Sequence, residues 1–166
     1  MTRGLAIAAA SLLLAACQLQ PLYAGGAGGP VATTLSSVTV APIEGQVGWL
    51  VYNNLKERLA AGASSGARYR LDVELDDNIT GLGIRGDRAI TRERRSLRAR
   101  YRLVDLATGQ VVLDATAGSD AGIDVVSSEY ATVAAEQTAA ERLSEVVADQ
   151  IVSRLSLFAA RTAPSQ

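Results

Sequence analysis

Residues 69–76 read Tyr-Arg-Leu-Asp-Val-Glu-Leu-Asp and alternate strictly between apolar and charged side chains. Because successive side chains of a strand point to opposite faces, this pattern predicts a strand with one buried and one solvated face. We predict this strand from Arg68 to Ile79. The glycine-containing stretch Asn78–Asp87 (NITGLGIRGD) is predicted to form a long hairpin tip after it.

A second alternating strand is predicted from Arg88 to Leu106. Its apolar side consists of Leu97, Ala99, Tyr101 and Leu103, and its polar side consists of Arg92, Arg94, Ser96, Arg98, Arg100 and Arg102. The turn Ala107-Thr108-Gly109 leads into a third strand over 110–117, whose apolar side continues with Val111, Leu113 and Ala115. The glycine- and aspartate-containing residues 118–126 are predicted to be a connection.

Two segments have helical periodicity instead. From Gln46 to about Gly62, apolar residues recur at spacings of three and four: Val47, Leu50, Val51, Leu55 and Leu59. A longer helix is predicted after Ser128, a suitable N-cap residue, with Glu129 in its first turn. Its apolar stripe is Val133, Ala140, Leu143, Val147, Ile151, Leu155 and Phe158.

A short strand at 35–40, stopped by Pro42, completes the predicted order β-α-β-β-β-α. Since each strand has one apolar face and each helix one apolar stripe, the pattern favours an α+β, two-layer sandwich. Two helices would pack on one face of a mostly antiparallel four-stranded sheet and leave its other face polar. The domain is predicted over 35–160 and a disordered tail over 161–166.

The amino terminus has the features of a lipoprotein signal peptide over residues 1–16. Arg3 supplies a positive charge, and an uncharged apolar run from Leu5 to Ala16 precedes the only cysteine, Cys17. We predict that Cys17 carries covalent N-acyl and S-diacylglycerol lipid, and that residues 17–34 are a lipidated tether. The alternative is an ordinary signal peptide cleaved near Ala16, which would leave a free thiol.

The composition excludes several classes of function. The chain has no histidine, and its single cysteine is assigned to lipidation. Histidine- and cysteine-based catalysis, zinc sites and disulfides are therefore excluded, so we predict neither an enzyme, nor a metal site, nor a cofactor. After removal of residues 1–16 the chain has 15 basic and 17 acidic residues, since Arg3 is lost from the 16 and 17 of the full chain.

The second strand carries a strong local charge. Eight arginines lie between Arg85 and Arg102, against Asp87 and Glu93. If the hairpin pairs residues whose numbers sum to about 170, Asp72 faces Arg98 and Asp76 faces Arg94. If Leu103 faces Leu113 in the next hairpin, Arg102 faces Asp114. Arg92 and Arg100 then remain without partners, and Arg85, Arg88 and Arg95 lie nearer the tip.

This arginine pattern has two interpretations, a solvated face of ion pairs or an anion-binding site. Guanidinium groups suit phosphates, which accept two parallel hydrogen bonds. No aromatic residues alternate with the arginines, which disfavours nucleic acid as a partner. An exported protein with such a site would bind a phosphorylated glycolipid.

Several motifs together resemble the lipopolysaccharide-assembly lipoprotein family LptE, in its alphaproteobacterial form. The first is Pro21-Leu22-Tyr23, which follows the lipid site Cys17 after three intervening residues. The others follow in the order of the family's elements: Tyr69-x-Leu71-x-Val73, Thr91-Arg92, Tyr101-x-Leu103-x-Asp105, Gly109-x-Val111 and Ser128-x-Tyr130-Ala131. The resemblance covers the whole mature chain.

The resemblance implies a palmitate-bearing outer-membrane lipoprotein, anchored on the periplasmic side, that plugs the LptD β-barrel, helps to assemble it and binds lipopolysaccharide during transport. The binding residues would be Arg92, Arg94, Arg98 and Arg100, with Arg85 and Arg88 at the tip over Asn78–Arg88. An auxiliary lipoprotein of an ABC-type lipid transport system is the alternative. A tethered hydrolase is disfavoured because the chain has no histidine.

Overall fold

The protein folds into one four-stranded sheet with three helices, in a computed structural model that describes residues 29–59, 66–84, 90–126 and 128–162. The predicted α+β architecture is confirmed, with one additional short helix. The elements are α1 (Pro30–Ser36), β1 (Val38–Val40), α2 (Gly45–Leu59), β2 (Tyr69–Ile84), β3 (Ile90–Asp105), β4 (Val111–Asp124) and α3 (Glu129–Thr162).

The strands lie in the order β1-β2-β3-β4. β1 pairs with β2 in parallel, and the two long hairpins β2–β3 and β3–β4 are antiparallel. The sheet is therefore mixed but mostly antiparallel. β2 and β3 have 16 residues each, which at a rise of about 3.3 Å per residue makes them about 53 Å long. β1 pairs only with the first residues of β2, Tyr69 to Leu71.

Both long helices cover the same face of the sheet. They lie side by side and run in the same direction, since Gln46 contacts Gln137 (3.0 Å) near one end and Arg58 contacts Asp149 (2.6 Å) further along. Between the helices and the sheet lies the core. Its largest fully buried apolar side chains are Val51, Leu55, Leu71, Leu97, Tyr101, Leu103, Val147, Ile151 and Leu155.

The last helix begins where its sequence predicts. The backbone N–H of Ala131 donates to the hydroxyl of Ser128 (3.4 Å), as expected of an N-cap residue. Most of the predicted stripe is buried, but Val133 is 56% exposed. Residues 129–138 of α3 contain no buried residue, and burial begins at Ala139. The first turns of this helix therefore project past the core.

The amino-terminal boundary of the domain differs from the prediction. Part of the predicted 17–34 tether is helix α1, which starts at Pro30 and buries Val31 and Leu35. Proline favours this because its fixed φ suits the first helical position and its missing N–H is not needed there. The predicted strand at 35–40 is correspondingly reduced to β1. In the described residues, no helix combines the length and apolarity that crossing a membrane would require.

Two predicted irregular segments are strands, so those predictions are wrong. β2 continues through Ile84 into the predicted tip, and β4 continues through 118–124, the predicted connection. Glycines weaken a strand but do not prevent it when a long neighbour supplies main-chain partners on one side, as β3 does for both. Residues 1–28, which include the predicted signal peptide and Cys17, lie outside the described residues, as do residues 85–89 and 163–166. The tail predicted over 161–166 begins too early, since α3 extends to Thr162.

Candidate functional site

The candidate site is the sheet face turned away from the helices, here called the outer face. It consists of the even-numbered side chains of β2, β3 and β4. On β3 the odd-numbered Leu97, Ala99, Tyr101 and Leu103 are buried against the helices, while the even-numbered arginines are exposed or half-buried. The predicted division of the arginine strand into a buried and a polar side is therefore correct.

The predicted register of the first hairpin is wrong by four residues. Asp72 pairs with Arg102 and Asp76 with Arg98, so paired residue numbers sum to 174 and not to about 170. The register of the second hairpin is as predicted, with Leu103 opposite Leu113 and Arg102 opposite Asp114. Because the shift is an even number, it changes the partners of each arginine and leaves its face unchanged.

Ion pairs cross the outer face between the arginines of β3 and the carboxylates of both neighbours. Arg92 contacts Asp124 (3.0 Å) and Arg100 contacts Asp114 (3.0 Å), so the prediction that these two arginines lack partners is wrong. The other two pairs formed by β3 arginines on this face are Arg98 with Asp120 (2.9 Å) and Arg102 with Glu74 (2.8 Å).

The described part of the outer face carries equal numbers of opposite charges. Its six arginines are Arg70, Arg92, Arg94, Arg98, Arg100 and Arg102, and its six carboxylates are Asp72, Glu74, Asp76, Asp114, Asp120 and Asp124. Exposed ion pairs of this kind contribute only about 0–1 kcal/mol each. The outer face is therefore a solvent-exposed surface of weak ion pairs, in which an arginine can exchange one carboxylate for another. Its described charges sum to zero.

The pairing shifts the titration of two carboxylates on β4. A hydrogen bond from Arg100 lowers the pKa of Asp114. The Ser96 hydroxyl (2.5 Å) and the Arg98 guanidinium donate to Asp120 and lower the pKa of that carboxyl as well. Both carboxylates are consequently ionised throughout the physiological pH range and compete with any other anion for these arginines.

Arg94 differs from the other outer-face arginines of β3. Among the described residues it has no carboxylate within 4 Å, and its side chain is exposed. Its cross-strand neighbours are Thr80 and Gly122, which are small and uncharged. An anion can therefore reach this guanidinium without displacing any carboxylate of the described residues, although Asp120 is near enough for its charge to interact with that of Arg94.

A groove of about 760 Å³ lies across the middle of the outer face. It exists in part because Gly118 has no side chain. A Cβ atom at Gly118 would lie 2.5 Å from Cδ of Arg98, so the glycine allows Arg98 to lie flat over β4 and donate to Ser119 and Asp120. The lining residues are Glu74, Leu75, Asp76, Arg98, Ala99, Arg100, Thr116, Ala117, Gly118 and Gln150.

Arg95 lies on the other side of the sheet, beneath the projecting start of α3. It donates two hydrogen bonds to Asp77 (2.9 and 2.6 Å) and one to the backbone carbonyl of Glu136 (2.8 Å), and its side chain is only 12% exposed. The hydrogen bonds to Asp77 raise the pKa of Arg95. Arg95 therefore joins the sheet to α3 and is not available to a ligand on the outer face.

The structure thus brings four predicted site residues, Arg92, Arg94, Arg98 and Arg100, onto one face. The other two, Arg85 and Arg88, lie outside the described residues. Sequence reasoning missed that Arg95 joins the sheet to α3. The alternation of β3 does indicate that this odd-numbered residue lies on the helix side. Sequence reasoning also missed that Gly118 leaves room for the side chain of Arg98, because this contact depends on the register between β3 and β4.

Comparison with known proteins gives two concordant results. The family model "LptE: Lipopolysaccharide-assembly" matches residues 35–155. Among solved structures, a lipoprotein of Caulobacter crescentus is 27% identical, with a TM-score of 0.68 over 82% of this chain and 100% of that one. No curated protein matches the chain in sequence.

Two more distant structures share the fold. Rare lipoprotein B of Shewanella oneidensis is 8% identical (TM-score 0.58, 75% of this chain and 95% of that one). A minor lipoprotein of Acinetobacter baumannii is 17% identical (TM-score 0.57, 73% and 92%). At these identities the likeness concerns the fold alone.

Proposed function

Because the chain belongs to the LptE lipopolysaccharide-assembly family, we propose that it is an outer-membrane lipoprotein acylated at Cys17. It plugs an LptD-like β-barrel, helps to assemble it, and binds lipopolysaccharide on its way to the cell surface. The match over residues 35–155 favours this function over an auxiliary role in an ABC-type lipid transport system, which would share only the anchor and a small α/β domain.

The proposed role requires binding and scaffolding without bond making. The outer face supplies guanidinium groups and hydroxyls, which hydrogen-bond to phosphate and sugar oxygens. Lipid attached at Cys17 would retain the domain at the membrane, since each buried CH₂ contributes about 0.8 kcal/mol. Nucleic acid is not an expected partner.

The observation that carries the lipopolysaccharide-binding part of the proposal is the accessibility of Arg94. Arg92, Arg98 and Arg100 each hold a carboxylate, so a phosphate must displace Asp124, Asp120 or Asp114 to reach them. At Arg94 no described carboxylate has to be displaced. Arg94 is therefore the principal phosphate contact, and the paired arginines join it only when the ligand outcompetes their carboxylates.

The test is binding of purified lipopolysaccharide to the mature protein. We expect Arg94→Glu to weaken binding at least tenfold, since a hydrogen bond to a charged group contributes about 1.5–3 kcal/mol and about 1.4 kcal/mol corresponds to a factor of ten. Arg70→Glu is the matched control, because it makes the same charge change on the outer face beside Asp72, far along the sheet from Arg94. Equal losses in both variants, or no loss in Arg94→Glu, would contradict the assignment.

A further inference from the structure

The free edge of β4 exposes a regular row of main-chain groups. In an antiparallel pair, residues alternate between bonding to the neighbouring strand and pointing away from it. Gly118 points away from β3, because its N–H and C=O both contact Gln150 of α3. By the same alternation, Asp114, Thr116, Asp120 and Gly122 also direct their main-chain groups to the edge. Within the described chain, no hydrogen-bond partner occupies these four edge N–H groups.

Gln150 shows which chemistry fits this edge. Its side-chain amide accepts from the Gly118 N–H (3.0 Å) and donates to the Gly118 carbonyl (3.3 Å). A primary amide that bonds in both directions reproduces what the main chain of an added strand would do. The edge therefore has one position filled by a strand-like partner and open positions on both sides of it.

Two common protections of an edge strand, proline and lysine, are absent from β4. Exposed edges are commonly blocked by proline, lysine or a bulge. Residues 111–124 contain neither proline nor lysine, and the register irregularity lies at the start of the strand, opposite Leu103 and Val104. Beyond that irregularity, the edge from Leu113 to Asp124 is open to pairing except at Gly118, where Gln150 is bound.

The charge of β4 specifies what kind of strand would pair with it. Its charged residues are all acidic, Asp114, Asp120 and Asp124, and all three lie on the outer face. Their side chains are 42%, 44% and 77% exposed, so each can accept a further hydrogen bond. The outer face alternates acidic, basic and acidic from β2 to β4. A strand with basic side chains would continue this alternation.

The helix side of the same edge is partly apolar, because Val146 and Leu157 lie there beside the polar Gln150 and Ser153 and the charged Asp149 and Arg154. A groove of about 430 Å³ runs along α3 and includes Val146 and Leu157, which are 41% and 39% exposed. Gln150 lines this groove and also contacts Gly118, so the groove lies directly beside the edge. Side chains of an added strand that point away from the outer face would enter it.

We propose that the edge of β4 binds an extended strand of a partner protein, with basic side chains on the outer face and apolar side chains against α3. This inference rests on the proposed function, because the partner that we expect to supply the strand is the outer-membrane β-barrel proposed there. A second copy of this chain fits poorly, because two β4 edges would place acidic strands side by side. Residues 17–29 of this chain also fit poorly, since they contain no basic residue.

Residue-resolved hydrogen exchange tests the proposal, comparing the mature protein alone with its complex with the barrel. The amides of Thr116, Asp120 and Gly122 should exchange at least tenfold more slowly in the complex. The amides of Ala115 and Ala117, which already bond to β3, should change little. This every-second-residue pattern is specific to strand addition and would not arise from general shielding.

A proline variant gives an independent measurement. Thr116→Pro removes an outward N–H without removing a bond to β3, so it should weaken the complex more than tenfold while Thr116→Ala does not. If Thr116→Pro does not fold, the hydrogen-exchange pattern of the unsubstituted complex tests the proposal on its own.

Several results would overturn the inference. One is a complex that forms while the edge amides exchange as before, which would leave the proposed function intact. Another is protection at the free edge of β2, around Val73 and Leu75, in place of β4. A third is protection of β4 in the isolated protein at concentrations where it dimerises. Failure to form any complex with the barrel would refute the proposed function and this inference together.

Discussion

Arg95 is expected to stabilise the protein far more than the other arginines of β3. Its side chain is 12% exposed and that of its partner Asp77 is 26% exposed, whereas the exposure of the four paired outer-face arginines of β3 is 43–67%. Replacing Arg95 by alanine removes two hydrogen bonds to a carboxylate and one to the Glu136 carbonyl. It also leaves the carboxylate of Asp77, whose side chain is only partly buried, without its cation.

The size of the effect follows from this partial burial. Breaking a fully buried ion pair costs about 3–5 kcal/mol, and an exposed pair contributes about 0–1 kcal/mol. Asp77 retains some access to water, so Arg95→Ala should lower the free energy of unfolding by about 2–3 kcal/mol. Arg94→Ala, one residue away on the exposed face, should change it by less than about 0.5 kcal/mol.

Urea unfolding followed by circular dichroism measures both variants. The double variant Asp77→Ala/Arg95→Ala should be less destabilised than the sum of the single variants, because the two residues contact each other directly. Hydrogen exchange should also accelerate around Glu136 more than around Ile151, since residues 129–138 have no buried side chain to hold them. If Arg95→Ala lowers the free energy of unfolding no more than Arg94→Ala does, Arg95 does not join the sheet to α3 as described.

Three further predictions concern the outer face and the anchor. The pKa values of Asp114 and Asp120 are lower in the folded protein than the unfolded-state value of about 3.9. The ion pairs of these two carboxylates therefore stabilise the protein fully above that pH, and this contribution is lost as the pH falls through the folded-state pKa values. The free energy of unfolding should therefore decline below about pH 4, and less steeply in Asp114→Asn/Asp120→Asn; an identical decline would contradict this. Gly118→Ala should displace Arg98 from its position over β4, and a crystal structure with Arg98 unmoved would contradict it. Cys17→Ala should abolish incorporation of labelled palmitate, and continued labelling would place the lipid elsewhere.

The sequence predicts the layers of this fold better than the pairing within them. Alternation in β2 and β3 is a property of each strand alone, so it identifies the buried face from local pattern. Register depends on where a hairpin turns, and the glycines after Asn78 suggested a turn several residues too early. The difference of four residues between the predicted and observed register is even, so each side chain stays on its predicted face while its cross-strand neighbour changes. For this reason the prediction that Arg92 and Arg100 are unpaired is wrong.

The misassigned segments share a physical cause. Residues 118–124 and 80–84 contain small residues that local propensity places in loops, but a long central strand supplies main-chain partners along its whole length. Residues 30–36 form a helix because Val31 and Leu35 can be buried, which is a tertiary effect. The predicted binding residues share a face, as alternation requires, and the availability of Arg94 emerges only from the observed register.

The most direct test of the central claim is extraction of the protein from outer membranes under mild detergent conditions. We expect it to purify as a one-to-one complex with a large β-barrel protein, measured by native mass spectrometry of the intact assembly. The complex should persist when Arg94 is replaced by glutamate, because that residue is proposed to contact lipopolysaccharide. Recovery of the chain alone, from membranes with normal barrel levels, would contradict the proposed role in lipopolysaccharide assembly.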